Sequence, residues 1–496
     1  MRRGNQAHAF IMKRQCQQLA VAASMLLALN GCVDLQALRL PHPSVTPEKQ
    51  PTASLDVDAS HVEPMYHRLL AIDLPTVARV ALARNLDIQQ AQQRVEASRG
   101  AYEASIGAFF PSITPSVTAL GLRGAVSSGG VLGNASFANF LPAAALQWII
   151  NPGQVAYDLI ASRRQLEGSA QKEQAVEQET TRLAAVQYYT VVLTQAQLAA
   201  TRQALDEAQE LLRIERLRLQ TGNGLPADEL RAEAAFAAAQ EAELTALNGF
   251  YNASVTLTVT LHLDATTMLV PHTGKMAEAR LVREDLPIEA MLVTAVRYRP
   301  DLQAVRTLYL ASQANKGSTV WGGLGPQVVA QRTFYPAPPV GQLADTEYRQ
   351  QIYAATGSFN WSGQIFGRIK SAVANVKIAG LNVDLQLDQA RAAVVTAHQA
   401  SITAEKLIPI ATQEVASAEE ALRLTQENLK NGTGLTIDVL QADATAVQAQ
   451  LHYANALVGY NQAQINLLAA LGLIDQTVFE LPSSNISPPV DTKLPG

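Results

Sequence analysis

Covalent chemistry is suggested at one residue, Cys32. It ends the sequence Leu29-Asn30-Gly31-Cys32, directly behind an apolar run from Leu19 to Leu29 that follows Lys13 and Arg14. That run is too short to span a bilayer and has the length of a signal-peptide core. A small residue and then a cysteine where cleavage is expected resembles a bacterial lipobox, in which the thiol is acylated and becomes the first residue of the mature protein. An ordinary signal peptide with an unrelated cysteine is the alternative. Val33 rather than Asp follows the cysteine, a choice that favours delivery to the outer membrane over retention at the inner one. Residues 1–31 are therefore expected to be a lipoprotein signal peptide and 32–69 a lipidated N-terminal segment, with Met12 an alternative start of translation. Cleavage would remove Arg2, Arg3, Lys13 and Arg14 but no acid, taking the formal charge from -5 to -9 and leaving no free thiol.

Other chemistry has little footing. The eight histidines, His8, His42, His61, His67, His262, His272, His398 and His452, show no metal-binding spacing, and neither a phosphate loop nor a Gly-x-Ser-x-Gly elbow occurs. No catalysis, metal or cofactor is expected. Charged residues make up 16% of the 496, with both signs interspersed, so no basic face offers itself to nucleic acid. The low aromatic content, 5%, against 48% hydrophobic residues suits long helices and excludes a collagenous or disordered chain.

The elements that would position any remaining functional carboxylate come from a duplication. Thr221-Gly222-Asn223-Gly224-Leu225-Pro226-Ala227-Asp228 lies over Asn431-Gly432-Thr433-Gly434-Leu435-Thr436-Ile437-Asp438 at an offset of 210 residues. The same register carries Leu247, Gly249, Leu257 and Leu261 onto Leu457, Gly459, Leu467 and Leu471. A repeat of that length is a duplicated domain rather than a solenoid unit. Upstream of each turn, Leu198, Leu205, Leu212 and Leu219 recur every seven residues opposite Ile408, Val415, Leu422 and Leu429. This spacing predicts long helices packed side by side as in a coiled coil, within a membrane assembly or a soluble bundle. Gly222, Gly224, Gly432 and Gly434 are expected to take the positive φ that stops a helix, and Asp228 and Asp438 to fall in the first turn of the next, where the helix dipole favours a carboxylate. The paired Asp73-Leu74-Pro75 and Asp285-Leu286-Pro287 are expected to open the short helices that begin each half.

Between the helices the pattern changes. Tyr353, Ala355, Gly357, Phe359 and Trp361 alternate with Thr356, Ser358 and Asn360, which is the period of a strand. Strands are expected at about 113–122 and 143–152 in the first half and about 327–335 and 350–362 in the second, joined by loops at 123–142 and 336–348. An apolar face opposite a small polar one suits a barrel strand with lipid outside and water inside, or a sandwich; the lipobox favours the barrel. Four strands cannot close one, so several chains would have to contribute.

Lipobox, duplicated helix-strand-strand-helix halves, the strand-to-helix passages Trp148 to Val155 and Phe359 to Ile369, and two Gly-x-Gly-Leu turns together resemble the TolC-like outer-membrane efflux factors over nearly the whole mature chain. The resemblance implies a mainly α fold with a small β part, in which a homotrimer builds a twelve-stranded outer-membrane barrel and a long periplasmic α-helical barrel. Residues 70–275 and 276–475 would be the two structural repeats and 476–496 a C-terminal tail. It implies a passive exit duct for small molecules, working with a periplasmic membrane-fusion adaptor and an inner-membrane pump of the resistance-nodulation-division type; protein secretion, metal efflux and a lipid-anchored scaffold without a pore are the alternatives. Family members place acidic residues after the second glycine turn, at the periplasmic entrance. Asp438 matches the first of these, Gln441 departs from the pattern where some members carry a second carboxylate, and Asp443 is a further contributor; Asp228 is the counterpart in the first half. Gly222, Gly224, Leu225, Gly432, Gly434 and Leu435 would meet the adaptor, unless they merely close helical hairpins.

Overall fold

The computed structural model describes residues 68–128, 131–222, 224–272, 277–283, 286–334, 340–341, 351–359 and 361–479. Cys32 and the expected signal peptide lie outside the described residues, as do Asp285 and residues 480–496 of the expected tail.

A short strand, β1 (Arg68–Ile72), leads into α1 (Leu74–Arg84), α2 (Leu86–Gly107), the hairpin strands β2 (Ser112–Ser128) and β3 (Val131–Ile150), the 69-residue α3 (Pro152–Gln220) and α4 (Pro226–Thr260). After β4 (Thr267–Pro271) the order repeats with α5 (Ile288–Tyr298), α6 (Pro300–Leu324), β5 (Pro326–Phe334), a two-residue β6 (Val340–Gly341), β7 (Gln351–Phe359), the 67-residue α7 (Gln364–Lys430) and α8 (Thr436–Ala470), followed by a 3-10 turn (Gln476–Phe479). At 1.5 Å per residue, α3 and α7 are each about 100 Å long. Among the described residues no helix is long and apolar enough to cross a membrane.

Local chemistry sets the helix starts. The Asp73 carboxylate accepts the Thr76 amide at 3.0 Å and caps α1. Asn85 caps α2 through the Asp87 and Ile88 amides and donates to the Thr260 carbonyl at the end of α4. Asn151 accepts from the Gln154 amide to start α3 and donates to the Trp321 carbonyl at 2.7 Å, tying the strand-to-helix passage of the first half to the end of α6. The second half does not reuse the Asp73 device: α5 begins behind Pro287, without a side-chain cap. α7 continues as one helix through Pro409.

The strands are longer than alternation alone suggested. β2 runs to Ser128 and β3 begins at Val131, so 123–128 and 131–142 of the expected loop form ladder instead. Those residues have weak intrinsic strand preference, and an antiparallel partner with every backbone group in register overrides it. Strand order is β2-β3-β5-β7, antiparallel throughout, with β6 pairing the outer part of β3. Register rows such as Ile113–Leu146–Arg332–Tyr353 and, on the opposite face, Ser112–Gln147–Gln331–Ala354 cross all four strands. One face thus carries Ile113, Val117, Leu146, Trp148, Ala330, Tyr353 and Phe359 with Arg332 among them, and the other Ser112, Thr114, Ser116, Gln147, Gln331, Thr356 and Ser358 beside Ile149, Val329 and Ile352.

The main core lies partway along the long helices. Tyr188, Tyr189 and Val191 of α3 meet Phe250 and Leu257 of α4, Met291 of α5, Val394 of α7 and Ile465 and Leu468 of α8 around the parallel β1–β4 ribbon. Burial there pushes the Tyr189 phenol up to about 12. Beyond this core the heptad residues form small satellite clusters: Ile408 with Leu457 and Tyr460, Val415 with Ala446 and Ala449, and Leu212 and Leu429 with Val439. Alanine on α8 lets α7 approach closely, while the stripe supplies the apolar contact.

Candidate functional site at the hairpin tips

The two glycine turns close helical hairpins of one geometry. Thr221 and Asn431 end α3 and α7, and Gly222 (φ 77°) and Gly432 (φ 78°) follow in the left-handed region. The second glycine of each turn has another role. Neither Gly224 nor Gly434 has positive φ; instead a Cβ on Gly434 would stand 2.7 Å from the Leu429 nitrogen, and on Gly224 2.8 Å from that of Leu219. The expectation that all four glycines adopt positive φ is therefore corrected: one in each turn reverses the chain, and the other lets the returning backbone touch the last helical turn. The Gly434 amide donates to the Asn428 carbonyl at 2.9 Å. Leu225 and Leu435 head α4 and α8, each 64% exposed.

The aspartates that follow are equivalent in sequence but not in surroundings. Asp228 lies in the first turn of α4, where Arg231 donates to it at 2.8 Å. Asp438 occupies the same place on α8, exposed, and among the described residues no salt bridge is made by it. At the offset of 210, Arg231 is replaced by Gln441, itself exposed. Gln441 thus withholds from Asp438 the cation that neutralises Asp228.

A similar exchange isolates Asp443. Its first-half counterpart, Glu233, faces Arg216 at 3.8 Å across the α3–α4 hairpin. In the second half Gln426 stands at the arginine position, and Asp443 meets Glu207 of α3 instead. Burial, then the hydrogen bond from one carboxyl to the other and the charge of Glu207, push Asp443 up to about 7. Asp443 is half-buried rather than an open wall residue of the kind Asp438 provides.

Sequence reasoning passed over Glu215. Its side chain is fully buried near the end of α3, where Oε1 accepts from Arg218 Nη1 and from the hydroxyl of Thr436, both at 2.9 Å. Thr436, the first residue of α8, is 2% exposed. The carboxylate therefore ties the first hairpin to the tip of the second. The signal was present in the spacing: Glu215 follows Ala208, Leu211 and Leu212 at helical intervals, a charge on a buried stripe. Among the described residues no group of three His, Cys, Asp or Glu side chains could hold a metal ion.

Comparison with known proteins agrees with this architecture. The sequence model of the family described as outer membrane efflux protein matches residues 77–261 and 335–473. No curated protein matches the chain in sequence. Among solved structures, the outer-membrane channel OprN superposes with a TM-score of 0.69 at 19% identity, covering 86% of this chain and 98% of that one. The Campylobacter jejuni CmeC outer membrane channel gives 0.70 at 16%, covering 87% and 96%. The open state of the Neisseria gonorrhoeae MtrE outer membrane channel gives 0.66 at 17%, covering 88% and 97%.

Proposed function

This chain belongs to the outer membrane efflux protein family, and we propose that three copies of it form the duct. Each protomer contributes β2, β3, β5 and β7 to a twelve-stranded barrel in the outer membrane, and α3, α4, α7 and α8 to a helical tunnel through the periplasm. The sheet carries this reading. One face is apolar apart from Arg332, the other carries most of the Ser, Thr and Gln, and the path ends at β2 and β7. Lipid leaves no water to satisfy an open edge, and four strands are too few to close, so the edge strands need the next protomer. An exposed apolar stripe on α7, including Ile378, Leu381 and Leu385, supports burial against a neighbour.

In this reading the lipobox cysteine Cys32 anchors the trimer by its acyl chains. Small molecules reach the duct from an inner-membrane pump of the resistance-nodulation-division type through a membrane-fusion adaptor, whose tips meet the two glycine turns, with Leu225 and Leu435 as apolar contacts. Three copies of Asp438 form the charged ring at the entrance. Its exposure and, among the described residues, the lack of a salt bridge to it support that role, whereas the ion pair of Asp228 with Arg231 leaves that residue a smaller part. Gln441 lowers the charge of the ring, and Asp443 adds to it only when ionised. Protein purified from outer membranes is expected to run as heat-modifiable trimers and to conduct in planar bilayers; monomers without conductance would leave a lipid-anchored scaffold as the function.

A further inference from the structure

Asp443 and Glu207 approach from α8 and α3, and among the described residues neither forms a salt bridge. Glu207 Oε2 and Asp443 Oδ1 are both shut off from solvent and accept no hydrogen bond. The two residues line the same two cavities, with Glu207 the charged and polar neighbour that bears on Asp443, and two carboxyl groups so placed can satisfy these oxygens with each other only if one carries a proton. The surrounding charges do not substitute for it. From α3, Asp206 and Glu210 line the same space, adding negative charge. From α7, Arg423 is engaged by Glu420 at 2.7 Å and Glu427 at 2.9 Å, Lys430 acts on Glu210, and Glu419 accepts from Gln450 of α8.

We propose that Glu207 and Asp443 share one proton that latches α8 onto α3 near the entrance, and that loss of this proton as the periplasm turns alkaline loosens the two helices. The coupling to opening rests on the duct reading above. The first repeat shows what the pair lacks, since Glu233, the counterpart of Asp443, has Arg216 for a partner. Cavities of about 380 Å³ and 160 Å³ flank the pair, and Glu207 and Asp443 line both. They give water a route by which the proton is exchanged. When it leaves, two anions are held in contact, and separating α8 from α3 relieves them.

The sign follows from proton counts. Asp443 is raised from an ordinary 3.8 to about 7, so between those values the packed helices bind more protons than separated ones. Packing therefore weakens as pH rises through that window and carries its full penalty above it. The test uses the full-length trimer in planar bilayers, stepped from about pH 5 to about pH 8, where open probability should rise by at most about tenfold per pH unit, the limit for one proton. Asp443→Asn and Glu207→Gln, on different helices, should each abolish the response, because the amide supplies a permanent N–H to the remaining carboxylate. In infrared spectra of the trimer, a protonated-carboxyl band should disappear with rising pH in the wild type and be missing from both variants. A wild type indifferent to pH, or a variant that keeps the response, would overturn the latch. Absence of the band in the wild type would overturn the shared proton itself, whereas a titrating band with no conductance at any pH would contradict the duct on which the coupling rests.

Discussion

Replacing Thr436 by valine isolates the hydrogen bond that joins the two hairpins. The side chains are nearly equal in volume, so no cavity opens, and the change removes the one hydroxyl that donates to Glu215 from α8 at 2.9 Å. Thr436 is 2% exposed and the Glu215 side chain 0%, so water cannot replace the lost donor. Glu215 would retain only Arg218, and its Oε2 already has no partner. A hydrogen bond to a charged group is worth about 1.5–3 kcal/mol, more when the acceptor is left short inside the protein. Glu215→Gln keeps an acceptor for Thr436 but gives up the ion pair with Arg218. The two changes should couple by about 1–2 kcal/mol in a double-mutant cycle. Hydrogen exchange of peptides covering residues 433–440 reads this directly, since the Asp438 and Val439 amides bond to the Leu435 carbonyl in the first turn of α8. Exchange there should quicken by about 10–150-fold in Thr436→Val. Peptides around Asp228 should not change, because Pro226 stands where the second half has Thr436. Unchanged exchange at 433–440, or additive effects of the two substitutions, would refute the tie.

The glycine turns should respond in two different ways: Gly432→Ala forces a left-handed residue and costs about 1–2 kcal/mol, with Gly432→Asn cheaper, whereas Gly434→Ala drives a Cβ into the Leu429 backbone and costs about 1–3 kcal/mol. Both should lower adaptor cross-linking while trimers persist on a gel; loss of trimers would make the turn purely structural. Asp438→Ala should weaken block by multivalent cations and shift selectivity away from cations, and Gln441→Asp should strengthen that block. Gln441→Arg, which recreates the arginine found beside Asp228, should act like the loss of Asp438; unchanged bilayer currents in all three would place the charged ring elsewhere. Cys32→Ala should abolish labelling by a fatty-acid probe and leave precursor uncleaved, and persistent labelling would exclude lipidation at that residue.

Periodicity made the helices legible. Heptads at 198–219 and 408–429 and the offset of 210 residues are properties of the chain alone, because a helix needs only local bonding and an apolar stripe to declare itself. Turn chemistry was readable to the same depth: glycine was expected to end each helix, and only the backbone path distinguished the one that takes positive φ from the one that must lack a Cβ. The strands over 123–128 and 131–142 were hidden because their residues have little strand preference of their own and are ordered by the pairing of β2 with β3.

What the amino-acid order determined by itself is therefore the repeat, the long helices, the place of the tips and the acid that follows each. Which acid has a partner was decided in three dimensions. Asp228 and Asp438 occupy the same sequence position, yet one is paired and the other is not, and that difference could still be traced to Arg231 and Gln441 three residues on. The meetings of Asp443 with Glu207 and of Thr436 with Glu215 span more than 200 residues of chain. No local pattern encodes them, because the electrostatics of a buried carboxyl depend on which helix packs against it, and that is settled only when α8 lies on α3.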